Sequence, residues 1–70
     1  MSFDEARNAV KLLRRHGWIV RDMQCVPSRR TDVPDHYNIV ARSPVKTDTP
    51  ACERIFVSPN EIVTALGLFG

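Results

Sequence analysis

SFDEARNAVKLLRRHG, residues 2–17, carries a start signal, a periodic interior and a stop signal that agree on one helix. Ser2 can cap the first turn through its hydroxyl. Glu5, three residues on, can reach back to the Ser2 amide, the spacing of a capping box. Asp4 and Glu5 favour the positive end of the helix dipole. Arg14, Arg15 and His16 favour the negative end. Gly17 follows and can take the left-handed backbone that closes a helix.

The faces follow at about 100° per residue. Phe3, Ala6, Ala9, Val10 and Leu13 form an apolar stripe, flanked by Leu12. Arg7, Lys11 and Arg14 fall on another side at i, i+4 and i+7, with Arg15 beside them. These four are drawn from only ten basic residues. Like charges at that spacing repel by about 0.2–0.5 kcal/mol per pair. Asp4 offsets this only in part. A solvated face is the plain account of such a stripe; a row of phosphate contacts is the functional one.

The chain continues outward from this helix. Residues 18–26, WIVRDMQCV, open with β-favouring side chains and end at Pro27, which cannot donate to a ladder. Alternation is poor: Ile19, Met23 and Cys25 share one parity, Trp18, Val20 and Val26 the other. Either both faces are partly covered or the strand holds a bulge. Residues 28–35, SRRTDVPD, form a loop with Arg29 and Arg30 side by side. Residues 36–43 make a second strand, with Tyr37, Ile39 and Ala41 towards the core. A third strand covers 54–58, Ile55 and Val57 pointing one way and Phe56 the other. Ser58-Pro59-Asn60-Glu61 then opens a short helix, with serine at the N-cap, proline at N1 and glutamate at N3, ending near Leu66 or Gly67. The expected fold is a single α+β domain over residues 1–70. Its order is αβββα, a three-stranded antiparallel sheet with two helices packed on one face.

Seventy residues bury only about 60% of their unfolded surface, so stability is marginal and self-association is a common remedy. The 43% hydrophobic content suffices for one small core. Net charge is only +2, so any case for a polyanionic ligand rests on where the cations lie. The chain has no apolar run long enough for a membrane span and no basic-then-apolar leader. It is expected in the cytoplasm with reduced thiols. Its size matches small regulatory proteins of bacteria and their phages.

No enzyme, cofactor or metal is expected. Gly17, Gly67 and Gly70 are isolated, so no phosphate-cradling loop exists, and no serine sits in a nucleophile turn. Asp35 and His36 are adjacent on a strand and point to opposite faces. Cys25, Cys52, His16 and His36 lack the paired spacing that nucleates a zinc site. The two thiols are expected to be buried or half-buried.

Two binding functions remain. The first, which the sequence favours, is nucleic-acid binding through Arg7, Lys11, Arg14 and Arg15, with Arg29 and Arg30 on the loop. The αβββα order is similar to that of double-stranded-RNA-binding domains. Pro34-Asp35-His36 resembles the proline and histidine often found in their first hairpin loop. The resemblance implies minor-groove contacts by the first helix and that loop. Where that family places lysines, at the start of the last helix, this chain has Ser58-Pro59-Asn60-Glu61. A duplex-DNA reader with the first helix in the major groove fits equally. The second function is a protein-interaction module, a homodimer or an inhibitor or adaptor of a larger partner. It would use Trp18, Val40 and Phe56 on an open sheet face, with Leu68 and Phe69 at the tail.

Overall fold

The computed structural model describes residues 1–45 and 50–69, and for Leu68 and Phe69 the backbone alone. The expected αβββα order is present: α1 (Phe3–Arg15), β1 (Ile19–Val26), β2 (His36–Arg42), β3 (Glu53–Phe56) and α2 (Pro59–Phe69). The sheet is an antiparallel meander in the order β1-β2-β3.

Both ends of α1 are fixed by the residues that signalled them. The Glu5 amide donates to Ser2 Oγ at 3.2 Å, and the Ser2 amide donates to Glu5 Oε1 at 3.0 Å. At the other end Gly17 has φ of +85°. Its amide donates to the Arg14 carbonyl at 3.1 Å, and that of Trp18 donates to the Leu13 carbonyl at 2.9 Å. These are the two bonds of a Schellman motif, in which the residue after the glycine folds back onto the last turn. Trp18 is therefore delivered into the core, where it is 3% exposed.

A bulge at Arg21 explains the broken alternation of β1, since the register shifts between Val20 and Asp22. Val20 lies opposite Ala41, and Met23 and Cys25 lie opposite Ile39 and Tyr37. Directly opposed residues share a face. The extra residue thus puts Val20, Met23 and Cys25 on the helix side and leaves Ile19 on the other.

Tyr37, Ile39 and Ala41 face the helices as expected, and Phe56, opposite Ile39, joins them. Its ring meets that of Trp18 edge-on, centroids 5.5 Å apart. Ala6, Ala9 and Leu13 of α1 and Ile62 and Ala65 of α2 complete the same cluster, so both helices cover one face.

β3 runs one residue earlier than expected and stops at Phe56, because the next residue's polar groups are taken elsewhere. The Val57 amide donates to Glu61 Oε2 at 2.9 Å, and the Val57 carbonyl accepts from the Met1 amino group at 3.1 Å. Met1 also donates to the Tyr37 carbonyl and accepts from the Tyr37 amide at 2.8 Å. It thereby continues the ladder where β3 has left it. α2 extends past Gly67 to Phe69.

Candidate nucleic-acid interface

Arg7, Lys11, Arg14 and Arg15 are all exposed. Ala6, Ala9 and Leu13 anchor the opposite side of α1, which fixes the direction in which the cations project. The four span roughly 100° of arc and about 12 Å along the axis at the usual 1.5 Å rise. Among the described residues none of the four makes an ion pair. Glu5, the acid nearest the stripe after Asp4, is occupied by the capping box. Its carboxyl is held below the ordinary glutamate value, first by the bond from the Ser2 amide and then by that involving the Ser2 hydroxyl.

The second basic group is placed apart from the first. Met1, at the head of α1, is bonded to Tyr37, one residue inside the start of β2, while Gly17 at the other end lies against Pro44. The β1–β2 loop therefore projects beyond the N-terminal end of α1, and Arg14 and Arg15 sit at the opposite end. The molecule measures 47 × 16 × 16 Å, long enough to keep the two groups separate.

That loop is tied by its own polar residues. Asp35 Oδ1 accepts from the Ser28 amide at 2.9 Å, and Ser28 Oγ accepts from the Arg30 amide at 3.2 Å. Arg30 is paired with Asp32 at 3.4 Å, both side chains largely exposed. An exposed pair of this kind is worth about 0–1 kcal/mol, so it can be exchanged for another anion. Arg29 is exposed.

The expected apolar interface is not assembled in this way. Trp18 and Phe56 are core residues, and neither lies on the open face. Val40 does lie there, opposite Asp22 and Ile55, but as a central-strand residue it is only 8% exposed. The side chains of Leu68 and Phe69 lie outside the described residues. Exposed apolar side chains on the open face are instead Ile55, Ile19 and Val26, at 58%, 61% and 43%. A second apolar site lies between the helices, a groove of about 240 Å³ that includes Ala9, Leu12, Ile62 and Val63.

Cys25 and Cys52 are free and exposed, which corrects the expectation of buried thiols. Edge position explains it: β1 has no buried residue, and Cys52 precedes β3. The Cys25 thiol lies 3.8 Å from Asp35 Oδ2. Its bond with the Tyr37 hydroxyl, and then its charge, raise the Tyr37 pKa above the ordinary value. Among the described residues no three His, Cys, Asp or Glu side chains gather as metal ligands, and no helix is long and apolar enough to cross a membrane. No protein-family model, no curated protein and no solved structure matches this chain.

Proposed function

We propose that this chain is a small non-catalytic regulatory module that binds nucleic acid through the outer face of α1. Arg7, Lys11, Arg14 and Arg15 are the primary contacts, with Arg29 and Arg30 as a second, separate contact on the β1–β2 loop. The observation that carries this is the α1 stripe: four exposed cations with no ion-pair partner among the described residues. Repelling charges held on a well-anchored helix are explained by a ligand that neutralises them. Two free, exposed thiols suit a reducing compartment, in keeping with a cytoplasmic role.

Charge reversal tests this. Arg14→Glu with Arg15→Glu leaves the core untouched but opposes the helix dipole at the end of α1, so circular dichroism is recorded alongside, and Arg14→Gln with Arg15→Gln is the variant used if the helical signal falls. Binding to nucleic acid is expected to be lost. The wild-type affinity should fall steeply with salt, with a log–log slope of about −0.9 for each phosphate neutralised. Full affinity in the double variant removes the α1 face from consideration.

A second reading, a protein-interaction module, is favoured by the apolar side chains at Ile19 and Ile55 and by the groove beside Leu12 and Val63. Association through these surfaces would be nearly indifferent to salt.

A further inference from the structure

We infer that the ligand of the α1 face is duplex DNA in the B form, with α1 seated in the major groove. This rests on the nucleic-acid reading above and narrows it to one class of polymer.

Shape is the first reason. The cations project from a convex cylinder anchored on its opposite side. Single strands are held in basic grooves floored by aromatic rings on which bases stack. Among the described residues the aromatic rings are engaged elsewhere. Trp18 and Phe56 meet in the core, and Phe3 meets Tyr37 edge-on with centroids 5.4 Å apart. Phe3, 48% exposed and one turn before Arg7, is a single ring at the head of α1 and not a floor of stacked rings.

Groove dimensions are the second reason. A helix with side chains is about 10–12 Å across. The B-form major groove is about 12 Å wide and about 8.5 Å deep, whereas the A-form major groove of RNA is too narrow for side chains to read. Arg14 and Arg15 lie roughly 100° apart around α1, with Lys11 between them. From a helix in the groove, that spread directs the two guanidinium groups towards opposite phosphate walls.

Order along the helix is the third reason. The phosphate binders occupy the later turns, while Asp4 and Arg7 are exposed in the first two. A guanidinium fork matches the O6 and N7 acceptors of guanine, and a carboxylate accepts from the cytosine amino group. Recognition helices present their N-terminal residues to base edges in this way. The four cations are all exposed, so none of the described residues covers this side of α1.

Fluorescence anisotropy on the whole chain tests the inference. The probes are a DNA duplex, an RNA duplex and a DNA single strand of one mixed sequence, each two helical turns long, at two salt concentrations. The Arg14→Glu/Arg15→Glu variant runs alongside. The DNA duplex is expected to bind tightest, by about tenfold, and the variant to lose that binding. Equal or tighter binding to the RNA duplex or the single strand, lost in the variant, overturns the DNA assignment and leaves the α1 face as a nucleic-acid site. Absence of binding to every probe overturns both. Groove placement is read separately by methylation of guanine N7, which faces the major groove. Protection in the complex supports the placement, and unprotected N7 at a bound site overturns it.

Discussion

The amide of Trp18 donates to the carbonyl of Leu13 at 2.9 Å, across the end of α1. One bond thus closes the helix and turns the largest side chain of the protein into the core. It depends on Gly17, whose φ of +85° suits few residues with a Cβ. A Cβ there would find Pro44 at 3.6 Å, an ordinary contact, so the cost of a substitution is conformational rather than steric. Gly17→Ala is expected to lose about 1–2 kcal/mol. In a domain this small, thermal denaturation should register a fall in Tm of about 4–8 °C per kcal/mol. An unchanged Tm would mean that the Schellman turn does not hold the end of α1.

The same turn shows where sequence reading reaches its limit. The ends of α1 are legible because their signals are local: Ser2, Glu5 and Gly17 act within one turn of themselves. Parity groups Trp18 with Val20 correctly, but the bulge at Arg21 then brings Met23 and Cys25 to the same face, so parity alone does not say which group meets the helices. As the second residue past the helix cap, Trp18 obeys the turn. The Arg21 bulge announces itself as poor alternation, though alternation alone does not say which residue is extra. At β3 the parity of Phe56 against Ile55 is legible, but which parity meets the helices depends on Phe56 pairing with Ile39, a long-range register. The α1 cations are legible by period alone. Their separation from Arg29 and Arg30 is not, because it follows from Met1 docking on Tyr37.

The capping box makes stability respond to acid. Glu5 has its folded pKa lowered from 4.5, with the Ser2 amide the leading cause. A depressed carboxylate contributes stability above its unfolded value and loses it as pH falls through the folded one. Glu5→Gln keeps an acceptor for the Ser2 amide but cannot titrate. Urea midpoints for the two proteins are expected to differ near neutral pH and converge in acid. Parallel curves down to pH values below the folded pKa would show that Glu5 is not coupled to folding. Ser2→Ala, which removes the other half of the box, should cost about 1 kcal/mol.

The sole tyrosine offers a probe of the far end of the hairpin. Tyr37 is raised above 10.0, chiefly by its bond with the Cys25 thiol and then by the charge that thiol takes on. Its phenol therefore stays protonated to higher pH in the folded protein. The associated stability is present below the ordinary value and fades as pH rises through the folded one. Titration of the phenolate absorbance band should give a midpoint above 10.0 in the wild type. Cys25→Ala is expected to bring it back towards the ordinary value. No movement in that variant would remove Cys25 as the cause.

Two neighbouring residues of β3 separate folding from association. Phe56 is 2% exposed and packs against Trp18, so Phe56→Ala is expected to cost about 3–5 kcal/mol. For a chain of this size that is a large part of the total stability, and chemical denaturation should show it directly. Ile55 lies one residue away on the opposite face, 58% exposed, beside Val40 across the pair of strands. Ile55→Glu should leave the denaturation midpoint nearly unchanged, because little buried apolar surface is lost. If copies of the chain associate through the open face, the same substitution places like charges across the contact and lowers the apparent mass in sedimentation. A wild-type mass equal to that of one chain, unchanged in Ile55→Glu, excludes self-association through this face and leaves the α1 cations and the groove beside Leu12 and Val63 as the surfaces to be explained.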